Sequence, residues 1–221
     1  TLEATPSDGS MLTGWTGAAG NINIKLTGSL NLNPGGIFSS AQSYYVEGNG
    51  GNIQIKAREV AIQNGGMIAV ETFGENAGNI TITATDKIYL RETYDETANV
   101  YGGISASTSK GSIGKGGNIN LNAPNLILDA GEIWALSDGN GNAGSITITT
   151  NTALLTNASD IMAESYSAFG GNIKLEVQDR LHVADNSWIS AESLGDEELD
   201  SGGNITINKP QSLRVREADR R

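Results

Sequence analysis

The chain has 221 residues, among them 29 Gly, 22 Asn, 4 Pro and no Cys, and a formal net charge of −11. The absence of Cys excludes disulfide staples, thiolate metal sites and cysteine nucleophiles, and the acidic balance argues against nucleic acid or an anionic membrane surface as partner. No apolar run approaches the ~18 residues of a membrane helix, so no membrane insertion is expected, while 38% hydrophobic residues against 18% charged leave enough apolar surface for a core.

A Gly-Asn/Ser-Ile triplet begins at Gly20, Gly51, Gly78, Gly117, Gly144, Gly171 and Gly203. The intervals are 31, 27, 39, 27, 27 and 32, a base period of 27 with insertions. Each unit holds three short runs of period two. The first follows the triplet, as in Ile53/Ile55, Ile80/Ile82, Ile119/Leu121, Ile146/Ile148 and Ile173/Leu175. The second comprises Leu30/Leu32, Val60/Ile62, Ile88/Leu90, Leu126/Leu128, Ala153/Leu155, Leu181/Val183 and Leu213/Val215. The third is Ile68/Val70, Ile104/Ala106, Ile133/Ala135, Ile161/Ala163 and Ile189/Ala191; in the first unit either Ile37/Ser39 or Phe38/Ser40 fills it.

Alternation predicts half-buried strands, and no window carries a sustained helical stripe. Gly, Asn, Asp and Ser between the runs supply turns. One such unit cannot bury its own inward face, but stacked units bury a continuous aliphatic column. The expected fold is all-β: a right-handed parallel β-helix (β-solenoid) of about seven rungs of about 27 residues, three short strands per rung. It forms a single segment, 1–221, with rungs starting near 20, 51, 78, 117, 144, 171 and 203 and an insertion at 91–103 in rung three. In each triplet, Gly permits the corner geometry and Asn21, Asn52, Asn79, Asn118, Asn172 and Asn204 are expected to stack as a ladder, interrupted once by Ser145. Both ends fall inside a repeat with no polar cap in view, so a segment of a longer fibre is expected.

The strings Gly74-Glu-Asn-Ala-Gly-Asn-Ile-Thr-Ile-Thr-Ala84, Gly103-Ile-Ser-Ala-Ser-Thr108 and Gly141-Asn-Ala-Gly-Ser-Ile-Thr-Ile-Thr149 resemble filamentous haemagglutinin-type exoproteins, in the form common in cyanobacterial surface proteins. The likeness runs from about Gly9 to Arg216 and carries no catalytic signature. It implies a secreted shaft on a bacterial surface, exported by two-partner secretion through an outer-membrane β-barrel transporter. Asn31-Leu-Asn33-Pro34-Gly35-Gly36 only partly echoes the motifs of the family's secretion domain, which places the segment in the shaft.

Candidate sites are sparse. The acidic residues Asp196, Glu197, Glu198 and Asp200 are candidates for weak Ca²⁺ binding, against the commoner reading of a solvated loop; no other cofactor is expected. Asp138-Gly-Asn140-Gly-Asn142 opens like a calcium loop, but Ala143 replaces the required Gly and Thr149 the closing Glu, so it reads as a turn. Glu71, Glu164 and Glu192 share an outward column, the spacing of a glycosidase pair or lyase metal site, but no Arg or Lys column accompanies them. His182, the only histidine, points outward without a nucleophile nearby. Thr81/Thr83 and Thr147/Thr149 are interrupted by Asn120/Asn122, too irregular for an ice-binding face. Tyr89, Ile127 and Leu154 form an outward apolar column, with Trp134 and Met162 outward on the third run, a contact patch that calls for a cover. Tyr94, Val100 and Tyr101 of the insertion are expected to fold over it, unless another chain does.

These readings describe a non-enzymatic, structural or adhesive shaft. The alternatives are a subunit of a self-assembling surface filament or layer, stacked end to end, and a carbohydrate-active β-helix. The receptor or glycan is not named by the sequence.

Overall fold

The computed structural model describes residues 15–41, 46–92, 94–95, 100–195, 201–208 and 210–215, which form strands joined by turns and irregular connections, with no helix among them. Two parallel sheets carry the architecture. One has ten strands and is crossed at seven levels, by strands starting at Ile22, Ile53, Ile80, Ile119, Ile146, Ile173 and Ile205. The other has six strands, Gly36–Phe38, Met67–Thr72, Gly103–Thr108, Glu132–Trp134, Asp160–Met162 and Trp188–Ser190. Each crossing advances one level, so the chain winds as a β-solenoid, a right-handed parallel β-helix in keeping with the usual hand of parallel crossovers. Seven levels of the first run and six of the third make six complete turns.

The predicted three short strands per rung hold for only some levels. In four of them the first and second runs merge into one long strand: Ile53–Gln63, Ile80–Arg91, Ile146–Thr156 and Ile173–Val183. The bend is taken up by register shifts, between Ala57 and Glu59 on one strand and between Thr150 and Thr152 on another. The runs stay separate at the other three levels, where Gly28, Pro124 or Pro210 falls between them. Pro124 has no N–H to offer a ladder; its carbonyl accepts from the N–H groups of Asn151 and Thr152, at 3.0 and 3.1 Å.

The inward columns coincide with the predicted ones. Ile53, Ile80, Ile119, Ile146 and Ile173 pair in register and are all at most 1% exposed. In the first unit Ile37 pairs with Ile68 and points inward, whereas Phe38 is 51% exposed, so Ile37/Ser39 is the third run. The insertion between Arg91 and Gly103 contains an antiparallel pair, Tyr94–Asp95 with Val100–Tyr101.

The triplet glycines serve close stacking. Left-handed backbone occurs elsewhere, at the corner between second and third runs: Asn64, Gly65, Ala130, Asn157, Ala158, Asp185 and Asn186 all have positive φ. At the triplet, a Cβ on Gly117 would lie 1.8 Å from the carbonyl oxygen of Gly78, and one on Gly171 1.8 Å from that of Gly144. Consecutive turns pass too near each other there for any side chain.

Candidate functional site on the six-stranded sheet

Period-two alternation turns every second side chain of the six-stranded sheet outward. Register then stacks those residues into three columns. The first reads Met67, Gly103, Glu132, Asp160, Trp188. The second reads Ala69, Ser105, Trp134, Met162, Ser190. The third begins with Glu71 beside Ser107 and continues through Leu136, Glu164 and Glu192. None of these outward positions is Lys or Arg.

Glu132 and Asp160 are direct neighbours on adjacent parallel strands. Burial, followed by the negative charge of Asp160, pushes Glu132 up to about 7. Burial, followed by the charge of Glu164, pushes Asp160 up to about 6. The Oε2 atom of Glu132 is enclosed and makes no hydrogen bond, and the same holds for the hydroxyl of Ser190. A charge in that place is poorly solvated and stands beside another carboxylate, which is why the protonated form is favoured. This pair was missed in the sequence because the third run was read from Ile133 and Ile161 onward. Extending its alternation one residue toward the N-terminus finds both acids.

Next to the pair lies a depression of about 370 Å³, lined by Met67, Glu71, Ser105, Ser107, Thr108, Ser109, Trp134, Leu136 and Asp138. The hydroxyls of Ser105 and Ser107 are 3.0 Å apart, and the Leu136 N–H donates to Ser107 Oγ at 3.3 Å. A second depression, of about 320 Å³, lies over the amide-rich first runs among Asn21, Asn23, Asn52, Gln54, Asn79 and Thr81.

The Asn column forms a ladder of a particular kind. Each Asn Oδ1 accepts from the backbone N–H one level on: Asn52 to Asn21 at 2.8 Å, and Asn79 to Asn52, Asn118 to Asn79, Ser145 to Asn118 and Asn204 to Asn172 at 2.9 Å. Amide-to-amide bonds accompany it between Asn52 and Asn21 and between Asn79 and Asn52, both at 3.1 Å. Ser145 continues the column weakly, its Oγ accepting from Asn172 N–H at 3.4 Å. A parallel ladder unseen in the sequence runs from Asn49 through Asn76 to Lys115 N–H; its signal is the Asn three residues before Asn52 and again before Asn79. Also unseen is a buried hydroxyl column, Thr72, Thr108, Ser137 and Ser165, two residues after Val70, Ala106, Ala135 and Ala163, the second inward residues of their third runs.

The remaining sequence candidates fall in several places. Tyr89, Ile127, Leu154 and His182 pair in one column on the ten-stranded sheet, whereas Trp134 and Met162 lie on the other sheet, so the apolar residues form two columns rather than one patch. Leu154 is 37% exposed and Ile127 half-buried. The side chains of Tyr94, Val100 and Tyr101, expected to cover that column, lie outside the described residues, as do Asp196, Glu197, Glu198 and Asp200. The stretch Asp138–Asn142 is a turn packed on the turn below: a Cβ on Gly139 would meet Ser112 O at 2.1 Å. Glu71 and Glu164 are separated along their column by Ser107 and Leu136; Glu164 and Glu192 occupy adjacent levels.

Compared with protein-family models, with curated proteins and with solved structures, the chain matches none. Function therefore has to be argued from the fold and from this face.

Proposed function

We propose that the chain is a stiff, non-enzymatic shaft with an adhesive role in a secreted, cell-surface protein of filamentous haemagglutinin type. The observation that carries this reading is the inward column, in parallel register level after level and sealed from water between Ile53 and Val183. Such a stack resists bending because every level is tied to the next by a full backbone ladder and by aliphatic packing. Export through an outer-membrane two-partner transporter rests on the resemblance of the Gly-Asn-Ala-Gly-Asn-Ile repeats alone. Against catalysis stands the enclosure of Glu132 Oε2, which keeps one oxygen of the adjacent Glu132–Asp160 pair from a substrate.

A second reading, end-to-end assembly into a filament, is favoured by one specific feature. At the last described level the inward residues are bare: Ile205 44%, Ile207 37%, Leu213 55% and Val215 70% exposed. Bare aliphatic side chains at the end of such a stack are covered when a second copy docks there in register.

Negative-stain electron microscopy across a concentration series, with light scattering beside it, tests both. Short monodisperse rods, roughly 30 Å long at the ~4.8 Å strand spacing, are expected of a shaft segment. Filaments of constant width favour the assembly reading, and globular or chain-like particles overturn both. Release of reducing ends from neutral or acidic polysaccharides overturns the non-enzymatic reading.

A further inference from the structure

We infer that the depression beside Trp134 is a binding site for a neutral saccharide, the contact through which this shaft adheres. The inference deepens the adhesive reading and rests on it.

The depression arises from a size step between levels. The outward residues of Gly103–Thr108 are Gly103, Ser105 and Ser107, the smallest set on the six-stranded sheet. Trp134 stands in register beside Ser105 on one side, and Met67 and Glu71 lie beside Gly103 and Ser107 on the other. The result is a notch across three levels, with an aromatic wall, a floor of hydroxyls and two carboxylates, Glu71 and Asp138, at its rim. Its volume, about 370 Å³, lies at the small end of the ~300–1,000 Å³ range of ligand pockets.

Each part of that lining has a use in holding a sugar ring. The half-buried Trp134 lines the notch, and an indole packs its flat apolar face on the C–H face of a pyranose. Carboxylates accept strongly from ligand hydroxyls, and hydroxyls both donate and accept. The charge on this face selects among sugars. Glu71, Asp138, Glu164 and Glu192 lie in or beside the columns with no outward Lys or Arg on the sheet. A uronic acid or sulfated sugar would be repelled, and a nucleic acid more so. An uncharged glycan meets no such penalty.

The test is a titration of ¹⁵N-labelled protein, following the three indole N–H signals, which Trp→Phe variants assign to Trp15, Trp134 and Trp188. The probes are cellotriose, maltotriose and triacetylchitotriose, with trigalacturonate as the charged comparison. A saturable shift of the Trp134 signal with at least one neutral trisaccharide is expected, with trigalacturonate binding more weakly. Trp134→Ala should weaken binding about tenfold or more, the loss expected of one aromatic contact. Glu71→Gln, which keeps the shape of the rim, should weaken the neutral sugar and relieve the discrimination against trigalacturonate. Should Trp134→Ala unfold the chain, Trp134→Phe and Glu71→Gln keep the inference open to refutation. No shift of the Trp134 signal with any neutral probe overturns it, as does preference for trigalacturonate or binding insensitive to both variants. If these fail while rods persist in the microscope, only the saccharide site falls. If the trisaccharides are cleaved during the titration, the shaft reading falls with it.

Discussion

The two sheets of the solenoid share one interior and present opposite exteriors. On the ten-stranded sheet, outward positions carry Gln54, Lys56, Thr81, Asn120, Thr147 and Lys174, and Glu59, Asp86 and Glu176 pair with cations. Lys174 Nζ lies 2.8 Å from Glu176, Lys87 Nζ 3.2 Å from Glu59, and Arg58 3.1 Å from Asp86. On the six-stranded sheet the acids stand beside indoles and other acids, with no outward cation. Stability can tolerate either exterior, since exposed ion pairs contribute little. What the contrast teaches is that the interior defines the rod, while the exterior of one sheet departs from the solvated pattern that repetition alone would produce.

The largest effect tests whether the interior is shared. Ile148→Ala on the ten-stranded sheet and Ile161→Ala on the six-stranded sheet both truncate side chains that are at most 1% exposed. Each is expected to cost about 2–5 kcal/mol in urea unfolding, because the surrounding levels cannot collapse onto the cavity. A much smaller cost at Ile161 would mean that the six-stranded sheet is only loosely attached. Ile207→Ala, at an open level and 37% exposed, should cost well under half as much.

Next comes the corner that joins levels. Gly117→Ala places a methyl against the Gly78 carbonyl oxygen, so neighbouring turns must separate. A loss of about 1–3 kcal/mol is expected from such overpacking. Gly28→Ala, where nothing lies within 4 Å of the added carbon, should be neutral or slightly stabilising through the unfolded chain. Equal effects at the two sites would show that stacking distance does not select Gly in the triplet.

The sheets should also differ in their response to pH. The fold raises Glu132 from an ordinary 4.5 to about 7 and Asp160 from 3.8 to about 6. Both are acids held protonated by the native structure, whereas the unfolded chain ionises them at lower pH. Their contribution is therefore full below about pH 4 and is lost as pH rises to about 7. Between pH 5 and pH 8 the melting temperature should fall. Glu132→Gln should flatten that slope and raise stability at pH 8 by about 1 kcal/mol, a figure that allows for partial exposure. Thermal melts of the parent chain and of Glu132→Gln at several pH values check this.

Much of the fold was legible because a buried residue repeats itself. Each Ile of the first run recurs at intervals near 27, and a column of identical environments enforces a column of similar residues. The reason for the triplet Gly was not legible, since close approach between turns and left-handed backbone select the same residue. The outward face was less legible still. Trp134 and Ser105 become neighbours only once the register across the insertion is known, and Trp134 and Glu132 carry no periodic signal of their own. Function on a solenoid resides in such departures from the repeat, and one sequence does not separate them from drift.

The smallest predicted effect sharpens the view of the regular side. Ser145 is the one departure in the triplet Asn column, and its hydroxyl reaches the next N–H at 3.4 Å where Asn side chains elsewhere reach at 2.8–2.9 Å. A longer side chain ending in an amide oxygen should close that gap. Ser145→Asn is therefore expected to stabilise the rod by about 0.5–1 kcal/mol, the net value of one exposed-to-partly-buried hydrogen bond improved. Asn118→Ala, which removes the acceptor for the Ser145 N–H, should cost a similar amount. Urea midpoints resolve both. If Ser145→Asn gains nothing while Asn118→Ala loses about 1 kcal/mol, the column acts by satisfying backbone donors and not by amide stacking, which is the pattern the bond lengths describe beyond the first three levels.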